Sequence, residues 1–132
     1  MNTLLDTLRG LALPEGDWVL FGSAPLFVRG IIASTNDLDI LCRGAAWEAA
    51  CTLAPPQRHP RWGVELVELL DGKLSFGTTW AIGDVDPDEV IDTAEMIDGL
   101  PFARLEYVVA YKRAAGRPKD LEHLAALERF ED

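Results

Sequence analysis

The feature that most constrains this chain is a Gly-Ser turn, Gly22-Ser23, placed between two short apolar runs. The first run is Trp18 to Phe21, and the second begins at Asp37-Leu38-Asp39-Ile40, fourteen residues after Ser23. A glycine at the end of a buried strand allows a tight turn, and a serine after it suits the N-cap of a helix. Residues at i and i+2 of a strand point to the same face, so Asp37 and Asp39 are expected to project together. Paired carboxylates repel unless a cation lies between them, and hard oxygen ligands suit Mg²⁺. Helix N-terminal amides attract anions, so Gly22 and Ser23 read as a phosphate cradle beside a metal site.

The remaining pattern predicts an α/β domain. Leu4, Leu5, Leu8 and Leu11 fall at helical spacing over 2–12, and Pro14-Glu15-Gly16-Asp17 turns the chain into the first strand. A helix is expected over 23–31, a strand over 37–42 and a helix over 45–53, stopped by Pro55-Pro56. Runs at 64–70 and 74–80 flank Asp71-Gly72, a strong hairpin signal. After a loop at 82–86, Pro87 opens a helix expected to reach Met96 and to be broken by Asp98-Gly99. Closing helices over 103–115 and 118–130 are separated by Gly116 as C-cap and Pro118 at N1. The sum is one domain over 1–132: a small mixed sheet of about four strands including the hairpin, flanked by helices, with a helical C-terminal tail.

Net charge is −10, from 22 acidic and 12 basic residues, which opposes broad nucleic-acid binding. A single nucleotide stays compatible, because a metal ion and a few local cations neutralise its phosphates. Such cations cluster at Lys112, Arg113, Arg117 and Lys119. No apolar run is long enough to span a membrane and the first residues lack a signal-peptide pattern, so a cytoplasmic protein is expected, with Cys42 and Cys51 as reduced thiols. His59 and His123 have no second His or Cys at metal-ligand spacing, which argues against zinc. Trp47, Trp62 and Trp80 read as packing residues, and the acids of 84–89 lack the spacing of a calcium loop.

Gly22-Ser23, the thirteen-residue gap and Asp37-Leu38-Asp39 resemble the signature of the nucleotidyltransferase superfamily, particularly its small single-domain members. The stretch from Lys112 through Arg117 to Lys119-Asp120-Leu121 resembles the K-x-x-x-x-R-x-K-D-L segment of the minimal and abortive-infection nucleotidyltransferases. The two matches bracket residues 18–121. The resemblance implies a nucleotidyltransferase-like fold and Mg²⁺-dependent transfer of a nucleoside monophosphate from a nucleoside triphosphate, with ATP the leading choice, to an acceptor hydroxyl. It implies Asp37 and Asp39 as catalytic metal ligands, Gly22 and Ser23 at the triphosphate, and Lys112 and Lys119 as further phosphate contacts.

Two departures bear on activity. Many relatives carry R-x-T-x-D before the second aspartate, whereas this chain reads Ala33-Ser34-Thr35-Asn36-Asp37, with Arg29 the nearest substitute. A third carboxylate is expected on the second hairpin strand, which carries Ser75 at that place and no acid. Glu65 and Glu68 on the first hairpin strand have opposite parity, so only one can face the site, and the sequence does not choose between them. The alternative is therefore a catalytically degenerate binding module, an antitoxin-like partner or a nucleotide sensor. In either case 132 residues leave little chain for an acceptor pocket, so a toxin-like protein partner or a homodimer is expected to complete it.

Overall fold

The computed structural model describes residues 3–60, 63–79 and 85–131. Trp62, Trp80 and most of the expected loop at 82–86 lie outside the described residues. Among the described residues the order is α1 (Thr3–Leu11), β1 (Trp18–Phe21), α2 (Ala24–Val28), β2 (Leu38–Cys42), α3 (Gly44–Leu53), β3 (Gln57–Arg58), β4 (Glu65–Leu69) and β5 (Leu74–Gly77). The chain continues through α4 (Pro87–Asp92), β6 (Glu95–Ile97), β7 (Leu100–Phe102), α5 (Leu105–Ala115) and α6 (Pro118–Glu131). The α/β class is as expected. The sheet is larger: seven strands in the order β3-β4-β5-β2-β1-β7-β6, where about four were expected.

The extra strands have local causes. The helix opened by Pro87 stops at Asp92 instead of reaching Met96, and the chain turns back as the antiparallel pair β6–β7. Its turn is Asp98-Gly99, with φ of +52° and +78°, the backbone that a tight hairpin demands. The dipeptide therefore makes a hairpin where it was expected to break a helix. β3 is two residues long and pairs with β4 at the sheet edge, too short to leave a periodic signal. The Asp71-Gly72 hairpin forms as expected, with Leu69 paired to Leu74, so its loop is the four residues 70–73.

The strands at the centre are mixed in direction. β1 runs antiparallel to β2 and parallel to β7, while β2 runs parallel to β5. All four residues of β1 are buried, because alternate side chains feed two different cores. Leu20 and Trp18 join Ile40, Phe76 and Phe102 beneath α1 and α3, where Leu5, Leu8, Ala46 and Ala50 cover them. Val19 and Phe21 join Leu41 on the opposite face, under Val90 and Ile91 of α4 and Val108 and Tyr111 of α5. α2 sits at the end of β1 and sends Ala24 into the first core and Leu26 into the second. Gly116 ends α5 with φ +60°, and its N–H reaches Lys112 O at 2.9 Å. That left-handed cap reverses the chain and lets α6 pack beside α5. No helix among the described residues is long and apolar enough to cross a membrane.

Candidate functional site

Sheet register assembles the site on the face that carries Phe21. Asp39 lies opposite Phe21 of β1 on one side and Ser75 of β5 on the other, and Ser75 in turn lies opposite Glu68 of β4. Residues directly opposite one another share a face, so Phe21, Asp39, Ser75 and Glu68 form one row. This settles the parity left open by the sequence: Glu68 faces the side of Asp39 and Glu65 the other. Glu68 is nevertheless two strands away from Asp39, about 10 Å at the usual strand spacing. Its carboxylate lies over the hairpin turn, where a Cβ on Gly72 would meet Oε2 at 2.9 Å. Ser75 occupies the adjacent position, 8% exposed, and its hydroxyl donates only a long 3.5 Å bond to Gly72 O.

Gly22 is required where it stands. Its φ is +63°, and a Cβ there would lie 2.5 Å from Asp39 Oδ2 and 3.3 Å from Cγ. The turn thus packs its backbone directly on the Asp39 carboxyl group. Asp37 lies one residue before β2, and Thr35 Oγ1 donates to its carbonyl at 2.9 Å. Burial, then the charge of Asp37, pushes the Asp39 carboxyl up from 3.8 to about 6, while Lys119, Arg117 and Lys112 oppose the rise. Tyr111 walls the site: its ring stands edge-on to Phe21 at 5.2 Å and 71°. Burial, then the charge of Asp39, raises its hydroxyl to about 12, so it stays a phenol.

The tail folds onto the same point. Lys112 is 1% exposed and Asp120 fully buried, 3.3 Å apart from Nζ to Oδ1. Arg117 donates to Asp120 from Nε at 2.7 Å, from Nη2 at 3.2 Å and from its backbone N–H at 3.2 Å. Burial alone would raise the Asp120 carboxyl, but the Arg117 bonds and the Lys112 charge outweigh it and hold it below its ordinary value. Lys112 Nζ also reaches Ser23 Oγ at 3.1 Å and His123 Nδ1 at 3.1 Å. Ser23 occupies the N-cap position of α2, yet its hydroxyl makes no cap bond and turns to Lys112 and His123 instead. The helix it opens is also shorter than the expected 23–31, five residues with Pro25 in its first turn.

Gly22, Ser23, Asp37, Asp39, Lys112 and Lys119 are therefore drawn together. Lys112 is spent inside the protein on three partners, whereas Lys119 is exposed in the first turn of α6 with its charge acting on Asp39. Arg29 does not join the group. Its Nη2 donates to Glu95 at 2.8 Å and its Nη1 to Pro25 O at 2.8 Å, tying α2 to the β6–β7 hairpin. Two residues that the sequence passed over, His123 and Tyr111, belong to the site. The Asp120, His123 spacing of i, i+3 puts both on one face of α6, but only the docking of α6 shows what that face meets.

The donor set suits a particular kind of metal. Among the described residues no group of three or more His, Cys, Asp or Glu side chains could hold an ion unaided. Asp37 and Asp39 are the two carboxylates that could hold a hard cation such as Mg²⁺, and an ion there would need further oxygen ligands. Cys42 and Cys51 are both free thiols away from this site, and burial, then Cys51, pushes Cys42 up to about 12. No protein-family model, curated protein or solved structure matches the chain.

Proposed function

We propose that this chain is a nucleotidyltransferase-like domain that binds a nucleoside triphosphate with Mg²⁺ and transfers its nucleoside monophosphate to an acceptor hydroxyl. The observation that carries the reading is the packing of Gly22 on Asp39 with the cationic tail anchored at Ser23. Asp37 and Asp39 would hold the metal, which when bound supplies charge neutralisation at the attacking and leaving oxygens. Gly22 lets the turn sit directly against the Asp39 carboxyl, and Lys119 brings exposed positive charge to act on Asp39. Tyr111 and Phe21 form an aromatic wall on the face that carries Asp39.

One observation favours a second reading, a nucleotide-binding module without transfer. The position beside Asp39 is the neutral Ser75, a poor general base, and Glu68 lies one strand further out. Such a module would act as a sensor or as the antitoxin-like half of a protein pair.

Thermal denaturation with each nucleoside triphosphate, with and without Mg²⁺, tests both. Ligand at about 100 times its dissociation constant adds about 2.7 kcal/mol, roughly ten degrees for a domain of this size. The expected result is a Mg²⁺-dependent rise that vanishes in an Asp37→Ala/Asp39→Ala variant. No rise with any nucleotide refutes both readings. A rise without pyrophosphate release in the presence of hydroxyl acceptors selects the binding module.

A further inference from the structure

The contacts around Ser23 fix the direction of each hydrogen bond. A lysine ammonium has three protons and no lone pair, so it donates in every bond it makes. Lys112 Nζ has three acceptors: Ser23 Oγ at 3.1 Å, His123 Nδ1 at 3.1 Å and Asp120 Oδ1 at 3.3 Å. His123 Nδ1 therefore carries no proton, and the imidazole is the neutral tautomer protonated at Nε2. Burial, then the charges of Lys112 and Lys119, holds its pKa below the ordinary value, in agreement with that tautomer. Ser23 Oγ accepts a hydrogen bond from Lys112 and keeps its own O–H as a donor.

A buried lysine can be satisfied by any three acceptors, and a purely structural network would account for Asp120 and Arg117. It does not account for Ser23. That residue has helical backbone (φ −93°, ψ −16°), from which its side chain does not cap α2, and its hydroxyl is left to meet a lysine 89 residues away beside a histidine 100 away. A hydroxyl that already accepts from an ammonium is polarised as a donor, which suits an anionic oxygen and disfavours a cation or another donor.

We infer that Lys112 and His123 are positioning residues that hold the Ser23 hydroxyl as a hydrogen-bond donor aimed at a phosphate oxygen of the bound nucleotide. The inference rests on the triphosphate reading and extends it to two residues that act through Ser23 without touching the ligand. His123 Nδ1 has one lone pair, which the Lys112 ammonium occupies, so although it lies 3.2 Å from Oγ it does not take the Ser23 O–H, and that hydroxyl is left to donate to a ligand. Burial lowers the Lys112 pKa, and Asp120, held by three bonds from Arg117, opposes that shift and accepts from Nζ at 3.3 Å.

A double-mutant cycle tests this with Mg²⁺–ATP affinity read by calorimetry on the full chain. Ser23→Ala and His123→Leu are each expected to weaken binding roughly tenfold or more, the scale of one hydrogen bond to a charged group. The combined variant is expected to be no weaker than Ser23→Ala. His123→Asn, whose side-chain amide returns an acceptor near the Nδ1 position, is expected to regain most of the loss. Losses that add in the double variant, or His123→Asn behaving like His123→Leu, overturn the inference. A second readout needs no nucleotide: the ¹⁵N resonance of His123 Nδ1 is expected to report an unprotonated nitrogen that shifts on Ser23→Ala. A wild-type chain that fails to bind Mg²⁺–ATP overturns the triphosphate reading and the ligand named here. A His123 Nδ1 insensitive to Ser23→Ala overturns the positioning itself.

Discussion

Asp39→Asn removes one charge from the centre of the site and nearly nothing else in shape. In the wild-type fold the Asp39 carboxyl titrates at about 6 against 3.8 in its ordinary state, through burial and then through Asp37. A difference of about two in pKa, at about 1.4 kcal/mol each, comes to about 3 kcal/mol. Asp39 is half-buried, so solvent screening takes this to about 2 kcal/mol. Because the folded value lies above the unfolded one, the folded state binds the proton more tightly. The contribution of the protonated carboxyl to stability is fully present below about pH 4 and is lost as pH rises through 6. Asparagine has no such loss. Urea denaturation of both proteins from pH 4 to 8 should therefore show similar stability at the acid end. The variant should then become progressively more stable, by about 2 kcal/mol at pH 7.5, roughly six to ten degrees in Tm. With Mg²⁺–ATP present the order should reverse, because only wild type gains from the ligand. An Asp39→Asn variant less stable than wild type at pH 7.5, or a difference that does not change with pH, would refute the claim that Asp39 is electrostatically strained.

Three further substitutions probe the neighbouring contacts. Gly22→Ala forces a Cβ against Asp39 Oδ2 at a φ of +63° and should cost about 2–4 kcal/mol by denaturant unfolding; a cost under 1 kcal/mol would show that the turn can move away from the carboxylate. Lys112→Met leaves Asp120 buried without its lysine and should destabilise by about 3–5 kcal/mol, with part of the loss recovered by adding Asp120→Asn; no recovery would mean that the Arg117 bonds alone carry Asp120. Ser75→Asp places an acid directly beside Asp39 and should lower stability at pH 7.5 in chelator while tightening Mg²⁺ binding; an Mg²⁺ titration without a stability response would remove Ser75 from the site.

What the sequence determined by itself is local. Turn chemistry and periodicity act over a few residues, so the buried strand Trp18–Phe21, the glycine turn, the Asp71-Gly72 hairpin and the Gly116 cap with Pro118 behind it were all legible. Local reading also failed locally: Asp98-Gly99 fits both a broken helix and a hairpin, and strand pairing with β1 through β7 chose the hairpin. Only the tertiary structure decided which glutamate shares a face with Asp39, because register depends on which strands pair and in what direction. It alone withdrew Lys112 from solvent and gave it to Ser23, and it alone brought His123 to the same hydroxyl. Those contacts join residues about a hundred positions apart, held by the packing of α6 on α5 and by the cost of burying Lys112 and Asp120 without partners, and no short-range pattern records either.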